Sequence, residues 1–374
     1  MGNKITLVTN YINDRPISMQ KYADFLQAGL SAKNLSVNLV CPQPVFGKLK
    51  PARYGLGKWL GYIDKYVIFS NALSQIQADI IHVCDQGNAL YINYLQDKNH
   101  LISCHDVLAI RSALGQIPQN PTSWTGKQYQ SLILKGLNKA NYVVCASHTT
   151  REQLLSISTI QPEKTSVIYH GLNYPFHRLS LESAAQRLSA RPELLQIPFV
   201  MHVGDDTWYK NRPGLLRIFA NYRRLYPDLD VYLLLAGRQP SQETVELIHE
   251  LKLDDRVIKW VSPTNEQLEA LYSVTQALIF PSLYEGFGWP VIEAQACGCP
   301  VVCTTNSPFP EIAADAALMA PADEEEELAH LISKVIHSST IRLELIKKGL
   351  VNINRFISEK AIDNYVQLYT ELSS

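Results

Sequence analysis

The chain has 374 residues, of which 46% are hydrophobic and 18% are charged. This length suits two or three domains at about 150 residues each, and the low charged fraction leaves little for long solvated tails. The net charge of -1 excludes a general attraction to nucleic acid, and no apolar run approaches the ~18 residues that span a bilayer.

Short apolar runs alternate with segments of helical periodicity from one end of the chain to the other. Near-continuous apolar strands between amphipathic helices indicate parallel sheets that are covered on both faces. The sequence therefore predicts an α/β fold of two doubly wound Rossmann-like domains. The predicted strands cover residues 4–10, 36–41, 80–85, 100–106, 142–147, 166–171, 199–204, 231–237, 257–261, 277–281, 300–305 and 316–320.

The alternation is interrupted between about residues 175 and 196, which predicts a domain boundary. We expect a first domain over 1–178 and a second over 195–355, with a last helix, at about 356–374, that packs back on the first domain. Ligands of open α/β sheets bind beyond the carboxyl ends of the strands. The expected site is therefore a cleft between the facing strand ends of the two domains.

The beginning of the chain and its cysteines bear on where the protein works. The N-terminus runs directly into a strand-like segment and has no apolar core of a signal peptide. The seven cysteines lack the paired spacing of a zinc site, and most lie in β-like runs, where a thiol behaves as a small buried hydrophobe. We expect a reduced, cytoplasmic protein.

The segment 46–66 combines basic and aromatic side chains, with Asp64 as its one acid. Basic and aromatic groups together favour membrane interfaces. The segment is thus a candidate for peripheral contact with the inner face of an anionic membrane. It could equally shape an acceptor site, or form an ordinary solvated helix and loop.

Two basic residues follow strand-like runs of the second half. Lys210 precedes a helix that Pro213 can begin, and an ammonium beside a helix N-terminus is placed to neutralise a leaving diphosphate. Arg238 follows the run 231–237 and is a second candidate, with a surface charge as the alternative.

The most informative stretch is residues 279–302, where a strand leads through a glycine-containing loop into a helix. The free N–H groups and the dipole of that helix start favour an anion such as a diphosphate. Glu285 in the loop and Glu293 inside the helix are separated by seven residues, and carboxylates are natural acceptors for sugar or ribose hydroxyls. The simpler alternative is that Glu285 only caps the helix.

This stretch, EGFGWPVIEAQACGCPVV, resembles the Glu-x7-Glu motif of the retaining glycosyltransferases with the GT-B fold, family 4 (the group 1 type). The resemblance implies that Glu293 binds the nucleotide ribose and that Lys210 stabilises the leaving diphosphate. It implies that Glu285 and the backbone of Gly286, Phe287, Gly288 and Trp289 hold the donor sugar. More weakly, it assigns Ser262 and Pro263 to the base, and it places His105 opposite the donor sugar.

The chain departs from the family pattern at several positions. Asp205 and Asp206 stand where many relatives have a basic residue, and Arg238 is the candidate that compensates. Trp289 replaces a smaller residue and would narrow the sugar pocket. The glycine pair expected after the first strand is absent, and Ser18 there suits a helix cap.

Other reaction classes fit the sequence less well. The first strand is not followed by the glycine motif of a dehydrogenase, and no Walker lysine is present. Asp228 and Asp230 precede a strand, which is the wrong end for a metal-binding D-x-D, and no lysine or phosphate site suggests a glycan phosphorylase.

The sequence thus predicts a metal-independent retaining glycosyltransferase with no cofactor. It would move a hexose-type sugar from a UDP- or GDP-sugar to a glycan, lipid or small-molecule acceptor. The alternative is a nucleotide-sugar-binding or regulatory protein with the same fold and no turnover.

Overall fold

The computed structural model describes residues 4–14, 17–49, 56–228, 230–306 and 308–373. The chain divides into two compact units, the first formed by residues 1–173 and 358–374 and the second by residues 174–357. Each unit is built on one six-stranded parallel sheet with helices around it. The predicted fold class, two doubly wound Rossmann-like domains, is confirmed.

All twelve predicted strands are present. The strands are β1 Lys4–Val8, β2 Ser36–Val40, β3 Ile80–Val83, β4 His100–Cys104, β5 Tyr142–Cys145, β6 Thr165–Val167, β7 Phe199–Gly204, β8 Tyr232–Gly237, β9 Val257–Val261, β10 Leu278–Phe280, β11 Val301–Thr304 and β12 Leu318–Ala320. The α-helices are α1 Ile17–Ala32, α2 Leu56–Ile63, α3 Phe69–Ser74, α4 Leu108–Ala113, α5 Trp124–Leu137, α6 His148–Ile157, α7 Leu181–Arg187, α8 Arg212–Leu225, α9 Gln242–Glu250, α10 Asn265–Val274, α11 Trp289–Ala296, α12 Phe309–Ala313, α13 Glu325–His337, α14 Ser339–Asn352 and α15 Ser358–Ser373.

The first sheet has the strand order β2-β1-β3-β4-β5-β6. From β1 the chain moves outward to β2 and then returns to the other side of β1 for β3, so the order reverses between β1 and β3. The two inner strands β3 and β4 are buried at every position, as expected of parallel strands that are covered on both faces.

The last helix, α15, belongs to the first unit. Its Tyr369 hydroxyl lies 2.7 Å from His82 Nδ1, and its Tyr365 hydroxyl lies 2.5 Å from that of Tyr22 on α1. These groups are fully buried, and burial lowers the pKa of His82 to about 3. The histidine is therefore neutral, and the network joins α15 to the sheet without a buried charge.

The second sheet has the order β12-β11-β10-β7-β8-β9, and its order reverses between β7 and β10. Two of its strands end unusually close together at Gly204 and Gly237. Gly237 has φ of 133°, and a Cβ there would lie 2.1 Å from the carbonyl oxygen of Gly204. Only glycine allows this approach at the carboxyl edge of β7 and β8.

The boundary between the units differs from the predicted one, because the structure assigns residues from Tyr174 onward to the second unit. The backbone N–H of His177 donates to the buried carboxylate of Glu269 on α10 over 2.9 Å, and Arg187 forms an ion pair with the same carboxylate. The segment expected to end the first domain is thus held by α10, since a buried carboxylate needs these partners.

Among the described residues, no helix combines the length and apolar character needed to cross a membrane. All seven cysteines are free thiols, and six of them are buried.

Candidate functional site

The candidate site of the second unit lies at the carboxyl edge of its sheet, where the loops after β7 and β10 meet. Asn211 joins these loops. It caps α8 by accepting from the backbone N–H of Gly214 over 3.2 Å, and its amide nitrogen donates to the Pro281 carbonyl over 3.1 Å. The N–H of Leu283 donates to the Tyr209 carbonyl over 2.7 Å. These contacts fix the two loops side by side at the reversal point of the sheet.

Lys210 and Glu285 come together at this point. The Lys210 ammonium lies 2.7 Å from Glu285 Oε1, and both side chains are largely buried. Lys210 also lies 5.0 Å from the ring centre of Phe280, within range of a cation–π contact. Burial alone would lower the pKa of Lys210, but the Glu285 carboxylate outweighs it and raises the pKa above its ordinary value. Lys210 is therefore a permanently charged group at neutral pH.

The contact with Lys210 also bears on the alternative role of Glu285. Helix α11 begins after Gly288, which has φ of 99° and provides no side-chain cap. The Glu285 carboxylate contacts Lys210 rather than capping the N-terminus of α11. Phe287 is buried against Phe356, with ring centres 5.6 Å apart, so its side chain is committed to packing.

Glu293 lies on α11 and is buried, with 8% of its surface exposed. The hydroxyl of Tyr272 on α10 donates to Glu293 Oε2 over 3.0 Å. Burial and the Glu293 charge raise the pKa of Tyr272 well above its ordinary value, so this hydroxyl remains a donor. Tyr272 thus orients one oxygen of Glu293, a role that the sequence did not reveal because the two residues lie on different helices.

The acidic pair after β7 has structural partners. Asp206 Oδ1 lies 2.5 Å from the fully buried Arg212 guanidinium, which also donates to the Gly204 carbonyl over 2.9 Å. The other oxygen of Asp206 accepts from the backbone N–H of Ser241, in the loop after β8. Asp206 and Arg212 therefore hold the loops after β7 and β8 together, and Arg212 is a second residue that the sequence analysis missed.

Asp205 and Arg238 lie nearer the surface. Their charged groups are 3.8 Å apart, and 61% of the Arg238 side chain is exposed. Burial would raise the pKa of Asp205, but hydrogen bonds from Thr207 and the charges of Arg238 and Lys210 lower it below its ordinary value. Asp205 is thus ionised and already neutralises part of the Arg238 charge.

The remaining predicted residues of the second unit lie at the same sheet edge. Ser262 follows β9 in a left-handed conformation with φ of 52°, and its N–H donates to the Gly237 carbonyl over 2.7 Å. Pro263 follows it, and Thr264 caps α10. Gly286 and Trp289 flank the start of α11. The assignment of these residues to base and sugar stays a prediction.

His105 belongs to the first unit, where it follows β4. Its Nε2 donates to the Cys84 carbonyl over 2.8 Å, and its Nδ1 lies 3.1 Å from Nε2 of His170. Burial lowers the pKa of His170 well below its ordinary value. His170 is therefore neutral, and both ring nitrogens of His105 have partners inside the first unit. A contact of His105 with a sugar stays a prediction.

The described part of the chain contains no cluster of three or more His, Cys, Asp or Glu side chains arranged to hold a metal ion. The cationic groups at the candidate site are Lys210, Arg212 and Arg238, and each is paired with a carboxylate.

Comparison with known proteins identifies two family matches that together cover most of the chain. "Glycosyl transferases group 1" matches residues 191–352, and "Glycosyltransferase Family 4" matches residues 20–174. The O-antigen chain mannosyltransferase RfbU of Salmonella typhimurium is 23% identical over 72% of this chain and 68% of its own length. The O-antigen chain mannosyltransferase B of Escherichia coli is 24% identical over 62% of this chain and 65% of its own length. The matched region thus spans about two thirds of these relatives.

Solved structures resemble the whole fold. Sucrose-phosphate synthase from Thermosynechococcus elongatus has a TM-score of 0.81 at 20% identity, and covers 99% of both chains. Anabaena HepE, in complex with UDP and glucose, has a TM-score of 0.74 at 16% identity, and covers 98% of this chain and 99% of its own. At these identities the likeness shows the fold alone.

Proposed function

Because the chain belongs to the group 1, family 4 glycosyltransferases, we propose that it moves a hexose-type sugar from a UDP- or GDP-sugar to a hydroxyl-bearing acceptor. The anomeric configuration of the donor is retained. The acceptor is a glycan, a lipid or a small molecule. The observation that carries this proposal is the contact between Lys210 and Glu285 at the reversal point of the second sheet. The complex of the structural neighbour HepE with UDP and glucose supports a nucleotide-sugar donor.

Each candidate residue has one role in binding the nucleotide-sugar. Glu293 accepts from the ribose hydroxyls, and Tyr272 holds it in place. The start of α11 and Lys210 receive the diphosphate. Glu285 exchanges its contact with Lys210 for the sugar hydroxyls when the donor binds. Arg238 supports the diphosphate, with Asp205 limiting its charge, while Ser262 and Pro263 lie beside the base. The family resemblance also assigns His105 to the donor sugar, and that assignment stays a proposal.

The reaction needs no basic side chain on the protein. In a retaining transfer the acceptor attacks from the face that the diphosphate leaves, and a leaving phosphate oxygen takes the acceptor proton. The bond from the anomeric carbon to the phosphate oxygen breaks while the bond to the acceptor oxygen forms. The protein orients the sugar and stabilises the charge that develops on the phosphate.

The stereochemistry of the product tests this proposal. We expect that proton NMR of fresh product, formed from a panel of UDP- and GDP-hexoses, shows the anomeric configuration of the donor. An inverted anomer would contradict the mechanism. Affinity for a nucleotide-sugar without release of sugar from any donor, even to water, would instead favour the alternative of a binding or regulatory protein.

We also propose that the activity is independent of metal. Helix N-terminal N–H groups and Lys210 supply the positive charge that a divalent cation provides in other phosphate-transfer sites. Dialysis against EDTA should therefore leave the rate of donor turnover unchanged. Loss of activity with EDTA, and recovery on addition of Mn²⁺ or Mg²⁺, would be the contrary result.

The segment 46–66 is the proposed contact with an anionic membrane surface; residues 50–55 lie outside the described ones. Its one acid, Asp64, is fully buried and accepts from the backbone N–H groups of Phe46 and Gly47, so it places no negative charge on the surface. Trp59 on α2 is 65% exposed, and Phe46 at the start of the segment is 41% exposed. Exposed apolar side chains in a basic segment suit a membrane interface.

We expect the protein to sediment with vesicles that contain phosphatidylglycerol, and Trp59→Ala to weaken this binding. Trp124→Ala is the matched control, because Trp124 is 74% exposed elsewhere in the first unit. Equal sedimentation with neutral phosphatidylcholine vesicles, or equal losses in both variants, would refute the assignment.

A further inference from the structure

A cavity of about 440 Å³ lies beside β2, the outermost strand of the first sheet. In the strand order, β2 lies on the far side of β1 from β3, so the cavity is distinct from the reversal point of this sheet. Most of the cavity wall is apolar and comes from β2 and the segment 68–76. These side chains are Leu39, Val40, Ile68, Phe69, Ala72 and Ile76. The volume is in the range of small-ligand pockets, about 300–1,000 Å³.

Asp64 is the acidic residue of the cavity wall, and its carboxylate is used by the protein itself. It is fully buried and accepts four hydrogen bonds of 2.8–3.1 Å. The donors are the backbone N–H groups of Val45, Phe46 and Gly47 and the hydroxyl of Tyr11. A carboxylate with this set of donors has its acceptor capacity filled. Asp64 therefore leaves the cavity apolar in character and fixes the backbone of the loop beside it.

The mouth of the cavity carries exposed apolar and basic side chains. Val45 lines the cavity and is half-exposed, and the exposed apolar residues Phe46 and Leu49 follow it. Lys48, also exposed, lies between these two in the chain. Exposed apolar groups next to a lysine suit the headgroup region of an anionic membrane. The mouth of the cavity is thus continuous with the segment 46–66, for which membrane contact is proposed.

We propose that this cavity binds one acyl chain of an anionic phospholipid, taken from the membrane that the segment 46–66 contacts. The apolar wall surrounds the chain, and Lys48 pairs with the phosphate at the mouth. Each buried methylene group adds to the affinity, so the length of the chain decides the binding. The lipid anchors the first unit and is not the sugar acceptor. The inference goes beyond glycosyl transfer and rests on the proposed membrane contact.

Cys41 provides a reporter inside the cavity. It is one of the lining residues, and it is the one cysteine of the chain that is not buried. N-ethylmaleimide should therefore label Cys41 before the buried thiols, and mass spectrometry gives the rate of labelling. Burial raises the pKa of the Cys41 thiol, so labelling is performed at mildly alkaline pH, where more thiolate is present. An acyl chain in the cavity should block this reaction.

Monomeric lysophosphatidylglycerol supplies a soluble acyl chain for a test on the full chain of the protein. At about ten times its Kd, the myristoyl form should slow the labelling of Cys41 about tenfold. The octanoyl form should bind more weakly, because it buries fewer methylene groups. Glycerophosphoglycerol, which has the headgroup without an acyl chain, should give no protection.

Variants of α3 test where the chain binds. Ala72→Phe places a phenyl ring in the cavity and should weaken the binding of myristoyl lysophosphatidylglycerol, measured by calorimetry, about tenfold or more. A loss of about two buried methylene groups already accounts for that factor. Asn71→Phe is the matched control and should bind as the wild type does, because exposed Asn71 precedes Ala72 and does not line the cavity. Val45→Asp changes a half-exposed position, so it should fold, and its charge should weaken the binding by repelling the phosphate.

Four results would overturn the inference: no binding of myristoyl lysophosphatidylglycerol, equal protection by glycerophosphoglycerol, equal losses in Ala72→Phe and Asn71→Phe, or tighter binding of free myristate. Protection of Cys41 that rises with protein concentration in the absence of lipid would also overturn it, because a second copy of the chain would then fill the cavity. Failure of the proposed membrane contact has a different signature. In that case the protein does not sediment with phosphatidylglycerol vesicles, whereas the soluble lipid still decides the occupancy of the cavity.

Discussion

Replacing Lys210 with alanine should lower turnover by about 10²-fold or more, and should change the affinity for the nucleotide-sugar much less. Negative charge develops on the phosphate as the bond to the sugar breaks, so the ammonium interacts most strongly with the transition state. A single preorganised donor at such a position typically contributes a factor of this size. The raised pKa of Lys210 keeps this charge in place through the neutral range.

The loss of the Lys210 charge must be distinguished from a side effect of the same substitution. Without Lys210, Glu285 loses its partner in a largely buried place, so the free energy of unfolding should be measured together with the kinetics. Lys210→Arg retains the charge and should recover part of the rate. Lys348→Ala is the matched control, because Lys348 forms a surface ion pair with Glu344 on α14.

A rate within a few-fold of the wild type, in a folded Lys210→Ala protein, would mean that the diphosphate is stabilised elsewhere. Arg238 and the N–H groups at the start of α11 would then be the next candidates. Arg238→Ala in the Lys210→Ala background distinguishes between them, since a further large loss would assign the charge to Arg238.

The fold could be predicted because each of its elements is specified locally. Apolar runs such as 80–85 and 199–204 have the length of buried strands, and the strands β3 and β7 lie within them. The start of α11 could also be predicted from the local sequence, because Pro290 suits a first turn and Gly288 permits the left-handed conformation before it. The predicted boundary between the two units was less accurate than the predicted strands. The segment after residue 174 is held by Glu269, which lies 92 residues beyond His177.

The charges of the candidate site could be predicted only in part. Lys210 and Glu285 stood out because each lies between a predicted strand and the helix that follows it. Glu293 stood out because seven residues separate it from Glu285. Asp206 was expected to reduce the positive charge available to a diphosphate, yet in the structure it neutralises the buried Arg212. The two residues are six positions apart, but the burial of Arg212 is set by the packing around α8, for which the local sequence carries no signal.

The contact of Tyr272 at the proposed nucleotide site could not be predicted from the local sequence either. It lies on the buried face of α10, where the sequence alone suggests an ordinary core aromatic residue. Its hydroxyl needs a partner in the core, and the partner is Glu293. The core of the second unit therefore positions the carboxylate that we expect to bind ribose.

Replacing Glu293 with alanine should weaken the binding of the bare nucleotide by about 1–3 kcal/mol, the range for hydrogen bonds to a charged group. Because it also leaves the Tyr272 hydroxyl without its partner, Glu293→Gln is the better-matched variant, since its amide oxygen can accept from Tyr272. Glu344→Ala is the control, because Glu344 is an exposed glutamate of the same unit. Calorimetry with UDP and GDP gives the affinities.

The ribose hydroxyls provide the decisive comparison. If Glu293 binds them, the wild-type protein should prefer UDP to 2′-deoxy-UDP or 3′-deoxy-UDP, and the Glu293 variants should lose that preference. A carboxylate that only supports the packing of α11 would lower the affinity for all three nucleotides by the same factor. Unchanged affinity of the folded Glu293→Gln protein for UDP and GDP would dismiss the ribose assignment. An equal loss for UDP and its deoxy forms would reduce Glu293 to a structural partner of Tyr272.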